Sequence, residues 1–105
     1  LNNIQAFSIL NSMYTTYILK SLKEGTYYYD STSDFAKRLK YHNSGKSRYT
    51  KRKMPWIVYY KEEFETKTEA IQREMFLKSI DGYNYLREHQ IIYESWQSDF
   101  PLSGI

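Results

Sequence analysis

YTTYILKSLKEGTYYYDSTSDFAKRLKYHNS, residues 14–44, is the stretch that decides the fold. Its first part, YTTYILKS (14–21), is dense in β-branched and aromatic residues, which suit a pleated strand. Lys23-Glu24-Gly25 then reads as a short turn with a glycine free to take positive φ. TYYYDS (26–31) returns as a second strand, so the two form a hairpin with tyrosines on both faces. After it the period changes. Within residues 33–44, Phe35 and Leu39 stand four apart, the spacing of one helical face. Thr32 or Ser33 is placed to cap that helix, and Asp34 suits the positive end of its dipole. Arg38 and His42 fall on the same stripe as Phe35 and Leu39. A helix turns such a stripe toward the body of the protein. An arginine and a histidine are therefore either aimed, one turn apart, at the hairpin before them, or snorkel past the core edge to water.

Beyond this unit, residues 45–54 (GKSRYTKRKM) form a basic loop opened by Gly45, and Pro55 disfavours helix at Met54. WIVYYK (56–61) is a third strand. Thr66-Lys67-Thr68-Glu69 has the form of a capping box and announces a helix over roughly 67–80. Its apolar stripe uses Ala70, Ile71, Met75 and Leu77, and Glu74 lies on that stripe between Ala70 and Leu77. A buried carboxylate without a partner is costly, so Glu74 should have a cation, for which Arg73 or Lys78 is at hand, or a raised pKa. Gly82 reads as the end of this helix, and Tyr83 to Gln90 as a last short one with Tyr85 and Leu86 facing inward. The order β-β-α-β-α-α predicts an α+β domain, a three-stranded antiparallel sheet flanked by three helices. That domain is expected over residues 13–92, with 1–12 and 93–105 as terminal extensions without an assigned element. The chain opens on Leu1, and Met13 reads as a natural start.

The 105 residues suit one domain, and 41% hydrophobic residues suffice for one core. No apolar run approaches the ~18 residues of a membrane helix, and the first twelve residues lack the pattern of a signal peptide. A soluble cytoplasmic protein without membrane contact is expected. Cysteine is absent, which excludes disulfides, cysteine-ligated zinc and a thiol nucleophile, and fits a reducing compartment. The formal charge of +3 hides an asymmetry: residues 37–53 hold eight Lys/Arg and no acid, while the rest of the chain is net acidic. A concentrated basic segment suits an anionic polymer. Within it, Lys46, Arg48, Lys51, Arg52 and Lys53 would neutralise phosphates, and Tyr49 would stack on an exposed base. Nothing in the segment suggests sequence readout, so structure- or shape-directed binding is expected.

These elements carry Tyr17 on the first strand, Tyr28 on the second, Arg38 and His42 on the first helix and Glu74 on the second. In order and spacing, YILKS (17–21), YYDSTSD (28–34), KRLKYHNSGKSRYTKRKMPW (37–56) and FETKTEAIQREMFLKS (64–79) resemble the GIY-YIG nuclease superfamily, specifically its small stand-alone bacterial members. The resemblance covers about Met13 to Ile92. Two departures stand in it. The GIY triplet is Thr15-Thr16-Tyr17, keeping only the tyrosine, and the YIG triplet is Tyr28-Tyr29-Asp30. Asp30 replaces a glycine, the residue used where backbone bends unusually or is closely approached, and brings a carboxylate beside Tyr28.

The resemblance implies hydrolysis of DNA phosphodiesters with a divalent metal, Mg²⁺ or Mn²⁺, no small-molecule cofactor, and a setting such as DNA repair. Glu74 is the implied metal ligand; Mg²⁺ commonly takes only one or two protein carboxylates. Arg38 would pair with the phosphate, and His42 would donate a hydrogen bond or shuttle a proton. Tyr17 or Tyr28 would position or deprotonate water, with Tyr28 favoured because it is nearer in sequence to the helix carrying Arg38. The alternative is a nucleic-acid-binding module of the same fold, inactivated by Asp30.

Overall fold

A computed structural model describes residues 13–92; the expectations for residues 1–12 and 93–105 lie outside these. The expected hairpin is β1 (Tyr14–Ser21) and β2 (Tyr27–Thr32), joined through Gly25 at φ +77°. On the far side of β1 lies β3 (Trp56–Phe64), so the antiparallel sheet has the order β2-β1-β3. Among the described residues, three helices complete the α+β order: α1 (Phe35–His42), α2 (Lys67–Leu77) and α3 (Ile80–Glu88). The third strand runs past its expected end at Lys61 to Phe64.

Alternation along β1 divides the core in two. Tyr17 and Leu19 meet Trp56, with Phe35 and Leu39 of α1 packed on them. Ile18 points the other way and packs with Leu77, Leu86 and Ile92. A β-bulge in β3 opposite Ile18 and Leu19 shifts the register, and the consecutive Tyr59 and Tyr60 both pack against this second core.

Four local readings are corrected. The first helix begins at Phe35 and not at residue 33, and its cap is Asp34, whose carboxylate accepts from the Lys37 amide at 3.1 Å. Asp34 is the residue that the chain holds in non-helical geometry at this point (φ −145°), so it caps more directly than Thr32 or Ser33. On α2, Ala70 and Leu77 are buried, but Ile71 and Met75 are exposed. The sheet covers a narrower stripe than the apolar residues occupy. Gly82 does not end α2. It lies in the first turn of α3, where its amide donates to the Ser79 hydroxyl. A Cβ there would overlap the Phe76 carbonyl oxygen and stand 2.6 Å from the Leu77 Cα, so the glycine serves the tight passage between α2 and α3. The last helix accordingly starts at Ile80 rather than Tyr83.

Candidate active site

The register of β1 against β2 sets the site. Tyr17 stands opposite Asp30, and cross-strand partners share a face, here the face covered by α1. The α1 stripe delivers Arg38 and His42 to it. Three donors converge on one oxygen. Asp30 Oδ2 accepts from Arg38 Nη2 at 2.9 Å, from the Tyr17 hydroxyl at 3.2 Å and from the Tyr28 hydroxyl at 3.3 Å. The tyrosine contacts are long for O–H···O bonds, which usually fall at about 2.5–3.0 Å, so the guanidinium is the main hold. Asp30 Oδ1 accepts from the Ser31 amide at 2.8 Å. Arg38 Nε is buried without a hydrogen-bond partner, so the guanidinium keeps one donor in reserve.

Behind Tyr17 runs a hydrogen-bond chain. His42 is 1% exposed; its Nε2 lies 3.1 Å from the Tyr17 hydroxyl and its Nδ1 3.0 Å from Thr50 Oγ1. Tyr17 has one hydroxyl proton and gives it to Asp30. His42 therefore completes the chain as the Nε2–H tautomer, and Thr50 donates to Nδ1. Burial, with the Arg38 charge, holds the His42 pKa below its ordinary value, which keeps the ring neutral in this arrangement. Burial and the Asp30 charge push the Tyr17 hydroxyl well above the usual phenol range, and the same causes raise Tyr28. Burial opposes the Arg38 charge, but hydrogen bonding and charge attraction from Asp30 and Tyr17 together more than offset it, and the pKa is raised.

Glu74 belongs to the other face. Thr16 stands opposite Ser31 and its hydroxyl donates to the Ala70 carbonyl on α2, while the Ser31 hydroxyl donates to Glu74 Oε1 at 2.8 Å. Glu74 Oε2 accepts from Lys78 Nζ at 2.7 Å, so a cation is its partner; Arg73 is engaged instead by Glu62. Asp30 and Ser31 are neighbours on the edge strand β2, their Cα atoms ~3.8 Å apart. The two halves of the set thus meet around the rim of the sheet. Among the described residues, no group of three or more His, Cys, Asp or Glu is gathered to hold a metal ion. A divalent cation held by one carboxylate with water and phosphate oxygens still suits Glu74. Ser31 fixes one of its oxygens, and the other is held only by a half-exposed lysine.

The basic segment is clasped at its backbone and open at its side chains. Asn43 exchanges two hydrogen bonds with Trp56, at 2.9 and 2.7 Å, closing the loop at its base. The Trp56 indole donates to the Thr50 carbonyl and the Ser21 hydroxyl to the Lys53 carbonyl. A single 3₁₀ turn, Lys51–Lys53, ends the loop. Lys46, Arg48, Tyr49, Lys51 and Arg52 are exposed, and Lys53 is half-buried, with its ammonium over the Tyr49 ring. Tyr49 in turn packs on Tyr28, ring centroids 5.6 Å apart, which joins the basic segment to the Asp30 cluster. Sequence reasoning placed the two tyrosines, Arg38, His42 and Glu74, but missed Asp30 as the hub, Thr50 and Ser31. Of the two cations at hand for Glu74 in the sequence, Lys78, one helical turn on, is the one engaged.

The family profile described as the GIY-YIG catalytic domain matches residues 13–90. A UPF0213 protein of Bacillus licheniformis is 41% identical over 69 residues, covering 65% of this chain and 70% of that protein. One from Bacillus pumilus is 45% identical over 64 residues, covering 60% of this chain and 64% of its own length. A solution NMR structure of a UPF0213 protein from Bacillus halodurans superposes with a TM-score of 0.46 at 27% identity, covering 85% of this chain and 97% of that one. The family match runs through every element from β1 to α3 and through each motif residue named above, and the chain belongs to the GIY-YIG catalytic domain family, within the GIY-YIG nuclease superfamily.

Proposed function

We propose that the chain is a metal-dependent endonuclease that hydrolyses DNA phosphodiester bonds at the Asp30 cluster. The observation that carries this is the convergence of Tyr17, Tyr28 and Arg38 on a single anionic oxygen. Phosphoryl transfer needs donors prearranged around a phosphate oxygen, and Asp30 Oδ2 stands in for that oxygen. When a phosphate replaces it, Arg38 has its buried Nε available for a second oxygen, the forked pairing that guanidinium favours. Tyr17, buried and tied to His42, positions; Tyr28, at the open side beside Tyr49, is the better placed base once the Asp30 charge has moved away. A divalent cation at Glu74 would supply charge neutralisation and an acidified water. For this, Lys78 releases the carboxylate. The basic segment with Lys46, Arg48, Lys51, Arg52 and Lys53 holds the flanking DNA backbone.

A second reading is favoured by the same oxygen. Asp30 already satisfies the donors a phosphate requires, which describes a nucleic-acid-binding module of the family with its reaction centre closed. Nicking of supercoiled plasmid with Mg²⁺ or Mn²⁺ separates the two, with EDTA and Glu74→Ala as controls. The nuclease reading expects nicking that both controls abolish and that Asp30→Gly enhances. A folded, DNA-binding chain that never nicks, but does so as Asp30→Gly, is the closed module. If neither protein nicks, the enzyme reading fails.

A further inference from the structure

Tyr49 is 65% exposed on an otherwise hydrogen-bonded loop, and it forms a ridge between two open clefts. On one side Arg48, Lys51 and Arg52 line a cleft of about 660 Å³. On the other, Tyr27, Tyr28, Tyr29 and Lys78 line one of about 360 Å³. Both fall within or near the ~300–1,000 Å³ of ordinary ligand sites. Among the described residues, no acid lines either cleft. The aromatic one wraps the edge of β2, because Tyr28 faces α1 while Tyr27 and Tyr29 face the opposite core. It therefore opens at the rim where the Asp30 cluster and Glu74 meet, and Tyr28 lies only two residues, roughly 7 Å, from Asp30 along the strand.

We infer that this pair of clefts binds an unpaired nucleotide of the DNA strand, with its base against Tyr49 and Tyr28 and its phosphate among Arg48, Lys51 and Arg52. The chemistry is complementary on both sides of the ridge. Aromatic faces accept any base, and cations accept the phosphate. A base inside a duplex cannot lie against Tyr49 and Tyr28, since its faces are covered by the neighbouring base pairs and its pairing edge by its partner. The preferred substrate is then a strand with an unpaired residue close to the scissile bond, such as a flap, a gap or a frayed end. This rests on the nuclease reading for its substrate, but not for its test.

The experiment measures binding without metal, so that no cleavage occurs. A single-stranded oligonucleotide carrying one fluorescent adenine analogue, and a blunt duplex of the same length, are titrated at constant salt against the chain, Tyr49→Phe and Tyr49→Ala. The exposed ring leaves the fold intact, which a thermal melt verifies. Tyr49→Ala is expected to weaken single-strand binding about 5- to 150-fold, the range of lost base stacking. It should also abolish the fluorescence quench and change duplex binding less than twofold. Tyr49→Phe should retain the native single-strand affinity and quench. Equal losses for single strand and duplex, no loss at all, or equally effective competition by an acidic polypeptide would overturn the proposal. A chain that binds in this way without nicking plasmid contradicts the nuclease reading alone; one that nicks without this preference contradicts the cleft alone.

Discussion

Strand β1 sends Tyr17 to one face of the sheet and Ile18 to the other, and the two faces are held together by different physics. On the α2 and α3 side, Ile18, Leu77, Leu86 and Ile92 form a core of aliphatic groups ringed by tyrosines. On the α1 side, the buried set includes Tyr17, His42 and Thr50, linked by hydrogen bonds and ending on Asp30. Burial of apolar area is non-directional and tolerates small shifts. A hydrogen-bonded chain fixes each atom, because a broken link strands a buried donor. The first face supplies stability, and the second holds a constellation in place for chemistry.

The contrast breaks most easily at Leu86 and Tyr17. Leu86→Ala removes a fully buried side chain and is expected to cost about 2–5 kcal/mol. Tyr17→Phe keeps the ring against Phe35 but leaves the His42 Nε2–H without its acceptor, a cost of about 1–3 kcal/mol. Chemical denaturation of both variants measures the two losses. If Tyr17→Phe proved the more damaging, the polar face would be the principal stabiliser and the division between the faces would fall.

The two faces were not equally legible from the sequence. The apolar side follows from pattern: the Thr66 capping box locates α2, and Leu86, which the sequence turns inward, is fully buried. On the polar side, helical spacing puts Arg38 and His42 on the inward stripe but leaves open whether they turn in or snorkel to water. Asp30 was read as a carboxylate beside Tyr28, whereas its place opposite Tyr17 depends on strand register, which sequence spacing leaves open. Thr50 was hidden for a similar reason: a loop residue reaches His42 only once Asn43 and Trp56 have closed the loop. Gly82 was misread because a glycine after a helix usually marks its end. Here it answers instead to the closeness of a neighbouring helix turn, which belongs to packing and not to local sequence.

Titration sharpens the comparison. His42 has a folded pKa below its unfolded value of ~6.5, so the unfolded chain takes up the proton first. Stability from this group is complete above that value and declines as pH falls through the folded pKa. The tyrosines run the other way. Burial, with nearby negative charge, raises Tyr17 and Tyr28; burial raises Tyr29; and burial with Glu62 pushes Tyr60 up to about 12. Their contribution is complete below ~10 and is lost as pH rises through the folded values. The alkaline loss draws on both faces and the His42 loss on the α1 face alone. As pH falls below ~6.5, His42→Gln should flatten the stability profile while leaving the alkaline limb in place, as followed by denaturant melts and tyrosinate absorbance. An unchanged slope on that acid limb would show that His42 takes up its proton equally in the folded and unfolded chains, contrary to its buried place between Tyr17 and Thr50.

The smallest expected effect lies where the two faces meet. Lys78 and Glu74 form a pair four residues apart with a half-exposed ammonium, and such helix pairs contribute about 0.3–0.5 kcal/mol. Lys78→Met should therefore barely move the denaturation midpoint. Its consequence is electrostatic: Glu74 Oε2 loses its 2.7 Å contact, while Ser31 still holds Oε1. Under the nuclease reading, a divalent cation no longer competes with an ammonium for that oxygen. Mn²⁺ titration followed by water-proton relaxation should show tighter binding than in the parent chain, and Glu74→Ala in the same background should remove the gain. Weaker Mn²⁺ binding would mean that Lys78 helps to hold the carboxylate in its binding pose. The rim of β2 would then act as a fixed brace between the faces, and metal binding at Glu74 would not require the lysine to leave.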